Sequence, residues 1–175
     1  MLTKLILAGF GGQGVLSMGQ ILAYGAMAEN KEATFLPSYG PEMRGGTANC
    51  HVVISDKPVA SPLIATCDVL VAMNRPSLEK FESKVKPGGV ILINSGVCDV
   101  HVTRTDVTVF EVNVLEAAIE LGNAKCANTV MLGKIIKEVP VLTDENVLSA
   151  LDYFFKAKPK VLDLNHRAFA LGKQL

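Results

Sequence analysis

The sequence predicts a single α/β domain of Rossmann-like type. The expected architecture is a mostly parallel, twisted sheet with room for one antiparallel pair, helices on both faces and a helical C-terminal part. Three observations predict it. Short apolar runs alternate with helical patterns along most of the chain. A strand pattern, a glycine turn and a helix pattern follow directly on one another in KLILAGFGGQGVLSMGQILAYGAMAE, Lys4 to Glu29. Hydrophobic residues make up 49% of the 175 and charged residues 19%, which suffices for a large core and speaks against disorder. No linker, repeat or low-complexity tract divides the chain, so residues 1–175 read as one domain.

The first strand is the apolar run Leu5, Ile6, Leu7, Ala8. Gly9, Gly11, Gly12 and Gly14 break it. Val15, Leu16, Met18, Ile21, Leu22, Ala26 and Met27 then recur at helical spacing. Ala33 to Pro37 is the second strand, and a polar, glycine-rich loop, Ser38 to Gly46, follows it. Thr47 to Ser55 is the third strand. The connection to it is too short for a helical crossover, which suits antiparallel pairing. Val59 to Ile64 is extended or irregular. Val69 to Met73 is a short buried strand, and Pro76 suits the first turn of a helix through Leu78, Phe81 and Val85. Pro87, Gly88 and Gly89 are expected to close that helix, with Val90 to Ile93 and Thr108 to Val112 as the last strands. The remaining helices are expected over Leu115 to Leu121, from a cap at Asn128 or Thr129 through Ile136, from a Thr143 cap through Phe154, and over Val161 to Leu171.

The glycine turn carries the first functional expectation. Its missing side chains let a ligand approach the backbone, and the following helix turns unpaired N–H groups and a positive dipole end toward it. That arrangement suits a phosphate over Gly11, Gly12, Gln13 and Gly14. The competing reading is a tight turn that packs closely and binds nothing. A dinucleotide site would also want an acidic residue at the end of the second strand to hold a ribose, and Pro37 and Ser38 stand there instead. The loop from Ser38 to Gly46 is the second candidate. Arg44 offers a fork of donors for phosphate or carboxylate, Tyr39 a stacking face and Glu42 a base or a partner for Arg44. Ligand site, protein contact and self-contained loop all remain open for it.

Other chemistry finds little support. Lysine plus arginine and aspartate plus glutamate both number 17, so there is no basic surplus for nucleic acid. No apolar run is long enough for a bilayer, and a cytoplasmic location is expected. Cys50, Cys67, Cys98 and Cys126 lie far apart without metal-ligand spacing and read as buried thiols. His51 falls inside a strand and reads as packed. His101 and His166 lack a neighbouring carboxylate or cysteine cluster in the sequence. No catalytic residue and no metal site is expected on this chain. Gly133, inside a helix, implies close approach by another backbone, either in the core or at a subunit contact.

Three stretches together resemble one family: GFGGQGV at Gly9 to Val15, PSYGPEMRGGTANCHVVISD at Pro37 to Asp56, and NTVMLG at Asn128 to Gly133. They are similar to the gamma subunit of 2-oxoacid:ferredoxin oxidoreductases, most of all to the 2-oxoglutarate and branched-chain 2-oxoacid members. The resemblance implies a heteromeric enzyme that converts a 2-oxoacid and coenzyme A to an acyl-CoA and CO2 and passes electrons to ferredoxin. It implies thiamine diphosphate between alpha and beta subunits, and iron–sulfur clusters on the beta or a delta subunit. The gamma subunit itself would bind no cofactor alone. Gly11, Gly12, Gln13 and Gly14 match the family's glycine turn. Ser38, Tyr39, Gly40, Glu42, Arg44, Gly45 and Gly46 match its long loop. Both are expected to face the catalytic subunits, with the turn or Arg44 taking a phosphate of coenzyme A. Self-association is expected to be open to the isolated chain. The alternatives are a stand-alone dinucleotide-binding oxidoreductase domain and a scaffold that binds nothing.

Overall fold

A computed structural model describes residues 1–40 and 46–175 of the chain. Its six-stranded sheet has the order β2-β3-β1-β4-β5-β6. The strands are β1 (Leu2–Phe10), β2 (Glu32–Tyr39), β3 (Thr47–Ser55), β4 (Cys67–Ala72), β5 (Val85–Asn94) and β6 (Thr108–Val112). The helices are α1 (Val15–Ala28), α2 (Arg75–Phe81), α3 (Val114–Glu120), α4 (Ala127–Glu138), α5 (Asp144–Phe154) and α6 (Leu162–Gln174). β1, β4, β5 and β6 run parallel, while β3 is antiparallel to both β1 and β2. Ser38 and Tyr39, expected in the loop, extend β2 and pair with Asn49 and Ala48 of β3, so β2 and β3 form the antiparallel hairpin that a short connection requires.

Alternation along β1 divides the core. Leu5 and Leu7 point to one face, where α1, α3, α4, α5 and α6 pack. Ile6 and Ala8 point to the other, where α2 is the helix that meets them. All four are fully buried. Each large side chain so buried contributes about 1.5–3 kcal/mol. Helices lie on both faces, as expected, but unevenly, and the α2 side of the β2–β3 hairpin is left open.

The structure revises several expected boundaries. Pro87, Gly88 and Gly89 do not close a helix; they lie within β5. α2 ends at Phe81 and a 3-10 turn, Glu82–Lys84, follows. The register shift between Cys67 and Val69 absorbs the extra residues, since Cys67 pairs with Val85 and Val69 with Val90. Arg104 fastens the junction by donating to the carbonyls of Glu82 and Val85, both at 2.9 Å. Asn128 and Thr129 are not caps, because α4 starts earlier, after a 3-10 turn whose own cap is Asn123. Thr143 does cap α5 by accepting from the Asn146 N–H.

Gly133 serves the core. A Cβ there would meet the Phe169 carbonyl and the Cα of Gly172, and one on Gly172 would overlap the Val130 carbonyl. α4 and α6 therefore cross with backbone against backbone. The buried Thr129 hydroxyl adds a 2.6 Å bond to the Asn165 amide oxygen across the same contact.

Candidate functional site

The glycine turn sits where β1 leaves the sheet. Gly12 has φ +95° and Gly14 φ +72°, backbone that glycine adopts without strain. Gly14 is also the N-terminal cap of α1, with no side chain capping the helix. The Gln13 side chain turns inward and braces the turn. Its Oε1 accepts from the Phe10 N–H at 2.7 Å and from Asn74 at 3.2 Å, and its Nε2 donates to the Met73 carbonyl at 3.1 Å. The Asn128 amide donates to the Gly14 carbonyl at 3.3 Å, so the first turn of α4 supports the loop from behind. Gln13, expected among the ligand-binding residues, is thus occupied as a strut.

The strand order settles where the two ends of the second loop lie. β3 runs beside β1 in reverse, so the hairpin tip comes to the C-terminal end of β1. There the Gly11 N–H donates to the Gly46 carbonyl at 2.8 Å, and Gly40 N–H closes the hairpin on the Thr47 carbonyl at 3.1 Å. The two candidate loops meet. Between them opens a cleft of about 310 Å³, lined by Gly11, Gly12, Gly14 and the start of α1 on one side and by Tyr39 and Ala48 on the other. Tyr39 is 56% exposed and offers a ring to that cleft. Ser38 points to the opposite side of the hairpin, away from the glycines. The expectations on Glu42, Arg44 and Gly45 fall outside the described residues.

The arrangement suits an anion. Backbone N–H groups at the start of a long helix and a positive dipole end face an open cleft with no acidic residue among its described lining. It does not suit a dinucleotide held in the usual way. A ribose carboxylate belongs at the end of a parallel strand next to β1, and the neighbour on that side is β3, running the other way. A second cleft of about 250 Å³ lies behind the turn, between Gln13, Met73, Asn94 and Asn128.

Among its described lining residues the cleft has hydroxyls at Ser17 and Tyr39 but no cysteine, histidine or carboxylate. The four cysteines are buried and unpaired, in the apolar contexts expected of them. Burial pushes the Cys50 thiol up to about 12 and the Cys67 thiol to about 11, so both stay protonated and inert at neutral pH. His51 is half-buried, its Nδ1 accepting from the Ile64 N–H at 3.3 Å; burial, then nearby Lys84, lowers its pKa. His101 and His166 each meet one carboxylate distant in sequence, Glu111 at 2.7 Å and Asp152 at 2.6 Å. Each is an exposed pair. Among the described residues, no three His, Cys, Asp or Glu side chains converge as a metal site would require.

A model of the pyruvate ferredoxin/flavodoxin oxidoreductase family matches residues 4–175. The chain belongs to that family. It is 44% identical over 169 residues to the ketoisovalerate oxidoreductase subunit VorA of Methanothermobacter thermautotrophicus, covering 96% of this chain but only 35% of that one. The chain thus spans about a third of the length of this relative. It is 34% identical over 154 residues to the 2-oxoglutarate synthase subunit KorC of Methanocaldococcus jannaschii, covering 86% of this chain and 82% of KorC. The gamma subunit of a keto/oxoacid ferredoxin oxidoreductase from Geobacter sulfurreducens PCA has the same fold, with a TM-score of 0.83, 29% identity and coverage of 97% and 95%. The family resemblance read from the three motifs and the single-layer sheet with its antiparallel pair both agree with these matches. No helix among the described residues is long and apolar enough to cross a membrane.

Proposed function

We propose that this chain is the gamma-type subunit of a heteromeric 2-oxoacid:ferredoxin oxidoreductase, and that its glycine cleft takes a phosphate-bearing part of coenzyme A. One observation carries the reading: the turn and the hairpin tip, joined by the Gly11–Gly46 hydrogen bond, frame an open cleft at an uncapped helix start. The four cysteines, the thiols that redox or covalent chemistry would use, lie outside the cleft and are buried. Thiamine diphosphate and the iron–sulfur clusters belong, on this reading, to alpha, beta or delta partners, and ferredoxin meets the complex there.

Within that division of labour the chain holds and orients. Gly11, Gly12, Gly14 and the first N–H groups of α1 receive the anion, Tyr39 offers a stacking face, and Gln13 and Asn128 keep the turn in shape. Arg44, whose guanidinium fork suits a phosphate, is assigned from the sequence alone as a second anion ligand. Reconstituted complexes carrying Gly12→Ala or Arg44→Ala test this. The expected result is a KM for coenzyme A raised about tenfold with assembly intact, as loss of one charge-assisted contact implies. Unchanged KM in both variants overturns the coenzyme A assignment. Turnover of a 2-oxoacid by the purified single chain overturns the subunit assignment.

A further inference from the structure

We propose that the groove on the α2 side of the β2–β3 hairpin is the docking surface for an acidic, partly apolar segment of a partner subunit. The proposal rests on the subunit reading above but concerns the opposite face of the hairpin from the glycine cleft. The groove has a volume of about 400 Å³ and is lined by Ser38, Asn49, His51, Lys80 and Lys84, with Leu63 on its rim. None of its described lining residues is acidic.

The two ammonium groups are held in place. They flank the buried ring of Phe81, Lys80 at 5.3 Å and Lys84 at 5.5 Å from its centre. Among the described residues neither lysine has a carboxylate partner, in a chain whose charges otherwise balance and form many ion pairs. His51 adds a donor. Its Nδ1 is committed to the Ile64 N–H, so a neutral ring carries its proton on Nε2. Asn49 and Ser38 bring an amide and a hydroxyl. The floor therefore offers mainly donors and positive charge, which calls for carboxylates.

The rim sets the other half of the requirement. Leu63 is 70% exposed and also borders the neighbouring groove, where Leu2 is 55% exposed. This is the face on which no helix covers β2 and β3, so apolar contact area remains available beside the charges. Free inorganic anions would use the lysines but leave Leu63 in water. A polypeptide segment satisfies both, and the matched region makes up only 35% of VorA, so in that relative further polypeptide is joined to it. Charged contacts of this kind speed and orient encounter as much as they add affinity.

The test uses the remaining subunits of the oxidoreductase, purified together and immobilised, with the full-length chain titrated over them at low and moderate salt. Lys80→Glu/Lys84→Glu is the principal variant. Leu63→Ser, in an irregular exposed segment, is the second, and thermal melts verify that both fold. The expected result is binding about tenfold weaker for the double variant, with a flatter salt dependence, and a smaller loss for Leu63→Ser. Affinity within twofold of wild type for the double variant overturns the proposal. So does unchanged assembly accompanied by loss of inorganic phosphate binding, which would mark a small-anion site. Failure of the wild-type chain to bind the other subunits at all would instead bring down the subunit reading.

Discussion

Two pairs of glycines do opposite work in this molecule. Gly12 and Gly14 leave backbone open at the end of β1; Gly133 and Gly172 close backbone against backbone where α4 crosses α6. A Cβ on Gly12 would meet nothing within 4 Å, whereas one on Gly172 would overlap the Val130 carbonyl. The lack of a side chain is the same in both places. What differs is the neighbour, and the neighbour decides whether a glycine leaves open backbone or lets two backbones meet. Gly14 stands between the two cases, with positive φ on the cleft side and the Asn128 side chain pressed against its back.

The comparison breaks most visibly at the crossing. Gly172→Leu should cost about 3 kcal/mol or more of stability, the upper end of overpacking, because rigid carbonyls and not flexible side chains stand in the way. A urea titration showing a loss well under 1 kcal/mol would mean that the helices slide apart freely. Gly14→Ala should cost about 2 kcal/mol, from left-handed strain together with the Asn128 contact. Adding Asn128→Ala should recover part of that cost, and a double-mutant cycle measures how much. Gly12→Ala should cost only about 1 kcal/mol from its backbone conformation while raising the coenzyme A KM of the complex. That split between stability and KM separates the open pair from the closed one.

Tyr39→Ala should leave stability within about 0.5 kcal/mol and act on KM alone. The smallest effect lies away from both pairs, at Glu29. Burial raises its carboxyl pKa, but bonds to Lys31 and the Thr143 backbone outweigh this and hold it below the ordinary value of 4.5. A depressed carboxyl pKa stabilises the fold fully above 4.5 and loses that contribution as pH falls through the lower folded value. Glu29→Gln should therefore flatten the acid limb of a stability–pH curve and leave its course above neutrality unchanged.

Much of the architecture was legible from pattern. Thr108 to Val112 has the predicted limits, Thr143 caps the helix it was expected to cap, and the brevity of the Ser38 to Gly46 connection announced an antiparallel pair. Pro87, Gly88 and Gly89 misled because helix closers and a strand bulge use the same residues; only pairing with β4 distinguishes them. The site was half legible. The two loops could be named from composition, but their meeting depends on β3 lying between β1 and β2, which no local pattern encodes. The bracing by Gln13, Asn74 and Asn128 was hidden for the same reason, since its partners are 61 and 114 residues apart in sequence. The lysine groove was missed because ordinary surface lysines give no signal until Phe81 and His51 place them together.

The reversed strand β3 lies between β1 and β2 and ties the hairpin into the sheet. β3 is bonded to β1 from Thr47 to Ser55 and to β2 from Ala48 to Ser55, so Tyr39, at the end of β2, sits at the end of a stiff lever. A molecule held between Tyr39 and the glycine turn would brace the β1 and β2 ends against β3 and steady the innermost amides of the sheet. Occupancy should accordingly be readable far from the point of touch, as slowed deuterium uptake in Val52 and Val53, which no bound molecule reaches.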